Sequence, residues 1–143
     1  MSALSIIEKF VHQIDSSIKI DFDDDFCADV VNKIVYIECK EHLEEDELIQ
    51  NFVQKNFHVL MNPFLIGVLH EVGHIMTYDE QIDNERSILY ALLTIGYDEN
   101  EYEEYSKMYF SIPAEYEATT WAVNYYLNHI QDCENFLDEL FCR

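Results

Sequence analysis

The chain has 143 residues, eight Lys and Arg against 29 Asp and Glu, and a formal net charge of −21. Phosphate contacts need clustered cations, so this balance argues against direct nucleic-acid binding and favours basic partners, steered in by the field of the whole chain. Nearly half the residues are apolar and only five are Gly or Pro, which excludes a disordered chain and fits one helix-rich globular domain over residues 1–143.

Along the chain, Leu4, Ile7, Val11 and Ile14 fall on one stripe of a helix predicted over residues 3–15, with Ile6 and Phe10 beside it. "SIKIDFDDDF" alternates briefly and ends in an acidic cluster, Asp21 and Asp23 to Asp25, which lacks the Gly and distal Glu of an EF-hand loop and reads as a solvated turn. "NKIVYIEC" is rich in β-branched and aromatic residues and reads as a strand. A small antiparallel sheet is expected from these two segments. The pattern is helical from Glu44, with Leu48, Phe52 and Val53 at helical spacing. Asn62 then offers an N-cap and Pro63 a first helical residue for a helix to about Tyr78. Residues 80–110 read as a helix, a turn near Gly96 and a possible second helix. Pro113 opens a long helix through His129, and "CENFLDELFC" closes the chain as an amphipathic helix. The fold class is thus α+β, predominantly helical.

Two exclusions narrow the setting. No stretch approaches the roughly 20 apolar residues of a membrane span, and "MSALSIIEKF" lacks the basic segment, apolar core and cleavage site of a signal peptide, so a cytoplasmic protein is expected. Cys27, Cys39, Cys133 and Cys142 are scattered with no Cys-x-x-Cys pair, the pattern of reduced thiols and not of a disulfide framework or metal site.

The chemistry concentrates in His70-Glu71-Val72-Gly73-His74, inside the apolar helix that Asn62 caps. Positions i and i+4 share a helical face, so both imidazoles address one point, as the first two ligands of Zn²⁺ must. Glu71 lies about 100° round the helix, where it can hold and deprotonate a metal-bound water. Composition alone gives roughly 0.03 such matches in a chain like this. The competing reading is a pair of core histidines with a glutamate partner. Gly73 in mid-helix costs about 1 kcal/mol relative to Ala, which points to a close packing neighbour.

A zinc hydrolase needs a third protein ligand and leaves the fourth position open. A metzincin would have Gly at position 77 and His at position 80; Thr77 and Glu80 exclude that class. The alternative is a glutamate on a following helix. In "SIPAEYEATTWAVNYY", Glu115, Ala118, Thr119 and Ala122 share a face whose small residues would let two helices lie close. Glu115 is the expected ligand and Glu117, on the face of Thr120, Trp121 and Asn124, the alternative. Tyr78, Tyr109 and Tyr116 lie near the motifs in sequence as oxyanion-donor candidates, and sequence does not choose among them.

His-Glu-x-Gly-His on an apolar helix, followed by "EYEATTWA", resembles the ImmA/IrrE family of zinc metallopeptidases, which share the two-helix logic of gluzincin-type enzymes. The resemblance implies a zincin-like fold with a small sheet beside the active-site helix, zinc on His70, His74 and Glu115, and Glu71 as general base. It also implies a protein substrate, with helix-turn-helix repressors typical of the family. The chain departs from the family at Thr119, where Asn or Asp is usual, and carries no helix-turn-helix segment of its own. Two further functions fit the composition: a catalytically silent zincin-like protein that sequesters a regulator, and an acidic decoy of nucleic acid.

Overall fold

The computed structural model describes residues 1–38, 47–96 and 102–143. Within them the chain runs α1 (Ala3–Ile14), β1 (Lys19–Asp23), β2 (Cys27–Asp29), β3 (Ile34–Glu38), α2 (Glu47–Phe57), α3 (Pro63–Met76), α4 (Glu80–Gly96), α5 (Tyr102–Ser111), α6 (Pro113–Asn128) and α7 (Ile130–Phe141). The fold is predominantly helical α+β with one small sheet. The start of the predicted helix at Glu44 and Cys39 fall outside the described residues. Among the described residues no helix is long and apolar enough to cross a membrane, and Cys27, Cys133 and Cys142 are free thiols.

The sheet corrects one expectation. It is three-stranded and mixed, in the order β1-β3-β2, with β1 parallel and β2 antiparallel to β3. The acidic turn after β1 reverses the chain once. A second reversal follows β2, where Asp29 Oδ1 accepts from the backbone N–H groups of Val31 and Asn32. Two reversals return β3 to the direction of β1. β3 takes the middle, paired on both edges, with Val35 and Ile37 fully buried on one face while β1 is mostly exposed. Three-residue β2 is too short to show as a periodic run.

Helix α3 lies at the centre. Asn62 Oδ1 accepts from the backbone N–H groups of Phe64 and Leu65, and Pro63 takes a position whose missing N–H costs no bond. At the other end the backbone of Thr77 leaves helical geometry, its hydroxyl donating to the Gly73 carbonyl at 2.8 Å, and the helix stops at Met76, two residues short of Tyr78. Almost every residue between is buried. The sheet covers one side of α3, α2 another and α6 a third. α1 and α7 close the far end of the core, where Phe10 stacks on Phe136 with centroids 4.1 Å apart. α6 ends at Asn128, and α7 begins at Ile130, earlier than Cys133, because His129 leaves helical geometry between them.

The crossing of α3 and α6 accounts for Gly73. A Cβ there would stand 2.5 Å from the Ala118 carbonyl oxygen, inside any real contact distance. Ala118 and Ala122 are fully buried on the facing side. The small residues expected on the Glu115 face are therefore the ones that bring the two helix backbones together.

Candidate metal centre

That close crossing brings side chains of α3 and α6 into contact far apart in sequence. Glu115 is fully buried and places Oε2 2.8 Å from His70 Nε2 and 2.9 Å from His74 Nε2, while the two nitrogens stand 3.1 Å apart. Glu117, the alternative ligand, is on the exposed side of α6. Tetrahedral Zn²⁺ with ligands at about 2.0–2.1 Å has ligand–ligand edges of roughly 3.3 Å, so these separations are within a few tenths of an ångström of a filled site.

Proton bookkeeping gives an independent test of fit. The Thr119 hydroxyl donates to the Glu115 backbone carbonyl at 2.9 Å, which leaves its lone pairs to accept from His70 Nδ1 at 3.1 Å. A neutral His70 with its proton on Nδ1 carries a lone pair on Nε2. In that neutral form His70 Nε2 and Glu115 Oε2 are two acceptors facing each other in a buried site, a conflict that either a proton on His70 or a bound cation removes. A single proton on His74 Nε2 can serve one of them, not both. A cation shared by all three satisfies the set, and two imidazoles with a carboxylate are the ligand chemistry of zinc.

The other oxygen of Glu115 is held separately. Arg86, from α4, donates its Nε–H to Oε1 at 2.7 Å, and the Tyr109 hydroxyl, from α5, donates to the same atom at 3.1 Å. The carboxylate is thereby turned so that only Oε2 faces the histidines. Burial alone would raise the Glu115 pKa, but the two imidazoles hold it well below the usual carboxylate range. For His74 burial opposes the charge and Glu115 outweighs it, so its pKa lies above the ordinary histidine value. Tyr109 is pushed up, by burial first and by Glu115 next, and stays a protonated donor.

Glu71 stands apart from these three ligand atoms. It is buried, and desolvation raises its pKa above the glutamate norm. A cleft of about 440 Å³ opens onto the centre, lined by Glu71, His70, Phe26, Tyr90, Tyr105 and Tyr109 among others. Of the three candidate tyrosines, Tyr109 is the one at this cleft. Tyr116 packs on Phe57 and Phe52, and Tyr78 is exposed beyond the end of α3.

Sequence reasoning did not find Arg86, nor a role for Thr119. The available signal for Arg86 was that it is one of only two cations, with Lys107, in the acidic segment between the two motifs; for Thr119 it was position i+4 from Glu115, one turn on along the same face. If Thr119 sets the His70 tautomer, Thr119→Val should weaken metal affinity about 10–100-fold, measured by competition with a chromogenic chelator, and Thr119→Ser should restore most of it. Equal affinity in all three proteins would remove Thr119 from the metal's support.

Comparison of the chain with protein-family models, with curated proteins and with solved structures gave no match. The functional reading therefore stands on the centre's own geometry.

Proposed function

We propose that the chain is a zinc-dependent endopeptidase, with His70, His74 and Glu115 as zinc ligands and Glu71 as general base. The observation that carries this reading is the convergence of the three ligand atoms on one point, beside a buried carboxylate that lines the adjoining cleft. When bound, zinc would polarise the scissile carbonyl and lower the pKa of its water to about 7. Glu71, held in a desolvated setting that raises its proton affinity, accepts the proton at its carboxylate and returns it to the leaving amine. Arg86 and Tyr109 fix Glu115 in a single orientation. The cleft would receive the peptide beside His70 and Glu71, which both line it.

The resemblance to the ImmA/IrrE family points the same way and extends the reading to the substrate: a DNA-binding repressor or another basic regulatory protein. The formal charge of −21 would speed encounter with such a protein and slow it again as salt rises.

Metal analysis of the purified protein tests the centre directly. About one zinc per chain is expected in the wild type and in Glu117→Ala, and a loss in Glu115→Ala. A folded wild type that holds no divalent metal after incubation with zinc would end the reading.

A further inference from the structure

Helix α4 is built inside out. Of its 17 residues only Leu93 is buried, while Ile88, Leu92 and Ile95 are 62%, 60% and 84% exposed. These three stand at i, i+4 and i+7, so they form one straight stripe about 10 Å long on the solvent side of the helix. Leu89 widens it. Single exposed apolar residues are ordinary; a continuous stripe on the outer face of a helix marks an interaction surface.

The stripe continues into a charged feature that states what the partner must carry. Ile88 is also a wall of a shallow concavity of about 490 Å³ whose other lining residues include Asp79, Glu80 and Glu85, all exposed. The single cation of α4, Arg86, is turned inward onto Glu115, so it does not neutralise them. The face thus presents carboxylates at the N-terminal end of α4 and aliphatic side chains along the next two turns. A second copy of the chain would bring the same carboxylates and a second charge of −21 against this surface. Anionic lipid headgroups would be repelled as well. A helix with an aliphatic stripe and flanking Lys or Arg satisfies both halves at once.

We propose that the outer face of α4 is the docking site for a basic amphipathic helix of a partner protein. The aliphatic stripe of that helix packs on Ile88, Leu92 and Ile95, and its cations pair with Asp79, Glu80 and Glu85. The surface lies outside the metal centre and its occupation does not need metal. α4 also carries Tyr90 into the cleft and Arg86 onto Glu115, so a docked protein would be held beside the same cleft.

The test uses the metal-free full chain and a fluorescein-labelled synthetic helix with a Leu stripe flanked by Lys. Fluorescence anisotropy should show binding that weakens about tenfold or more in Leu92→Ser/Ile95→Ser and again in Glu80→Lys/Glu85→Lys. All four positions are exposed, so unchanged thermal melting is expected and certifies the fold of each variant. A control helix with Ser in place of the Leu stripe should bind weakly to the wild type. Three outcomes overturn the proposal: variants that bind like the wild type; a Ser control that binds as well, which reports diffuse charge attraction alone; and a wild-type dimer by sedimentation that Leu92→Ser/Ile95→Ser dissociates, which makes a second copy the occupant. Because no metal or turnover enters the readout, failure here leaves the peptidase reading untouched, and the reverse also holds.

Discussion

Glu71→Gln should lower peptidase kcat/KM by a factor of about 10²–10⁴ while zinc content stays at the wild-type level. The separation follows from where Glu71 sits: it lines the cleft with His70 but is not one of the three converging ligand atoms. Gln keeps the shape and removes the proton acceptor. A protein that works only by sequestering a regulator would keep its effect with Gln at this position, and an acidic decoy would keep it after chelation too. Unchanged turnover in Glu71→Gln would take the general-base role away from this residue.

The same substitution has a stability signature of the opposite sign. The folded Glu71 pKa is raised above its unfolded value, because burial disfavours the charged form. Such a group stabilises the fold below its unfolded pKa, and that contribution is lost as pH rises through the folded pKa. At neutral pH the metal-free wild type therefore carries a penalty, for burying the Glu71 carboxylate or for protonating it, that Glu71→Gln lacks. Calorimetry should find the metal-free variant at least as stable as the wild type at pH 7, with the advantage vanishing toward about pH 4, the ordinary glutamate range. A residue kept for structure alone would lose stability on substitution.

Gly73→Ala is the second large effect, and it acts through the backbone of another helix. Its Cβ would meet the Ala118 carbonyl oxygen at 2.5 Å, and a main-chain atom cannot rotate away. α6 must move outward, taking Glu115 and Thr119 with it. Overpacking of this kind costs about 3 kcal/mol, of which Ala returns about 1 through helix propensity, for a net loss near 2 kcal/mol. Thermal denaturation should fall by roughly 5–10 °C, and zinc affinity should fall with it. Gly96→Ala is the matched control: a Cβ at Gly96 meets nothing within 4 Å, so that variant should be neutral or slightly more stable. Equal melting of the two variants would mean that α3 and α6 do not meet backbone to backbone at Gly73.

These effects also show which levels of the molecule can be read from its order of residues. The α3 start was legible because Asn62 and Pro63 act within one turn, and the two-histidine face was legible because i and i+4 superpose on any α-helix. The face of α6 that meets α3 was legible for the same reason: Glu115, Ala118, Thr119 and Ala122 recur at helical spacing, and all four are fully buried. Gly73 signalled close approach by the propensity it forgoes, though not the atom it approaches.

Tertiary structure decided the rest, wherever partners are distant in sequence. The parallel pairing of β1 with β3 depends on β2, three residues too short to leave a periodic trace. Arg86 reaches Glu115 across 29 positions, and Thr119 reaches His70 across 49. Neither contact leaves a local pattern, because hydrogen bonds between helices depend on crossing geometry and not on period. The outward stripe of α4 makes the same point from the other side. Its apolar spacing is that of any amphipathic helix, and only the packed fold determines whether such a stripe faces the core or the solvent. Sequence alone thus determined the helical α+β class, the capped motif helix and the faces of α3 and α6 that meet, since these follow from periodicity and caps within a few turns. Which side chains converge on one point, which cation holds the Glu115 carboxylate and which apolar face remains open were decided only when the helices crossed.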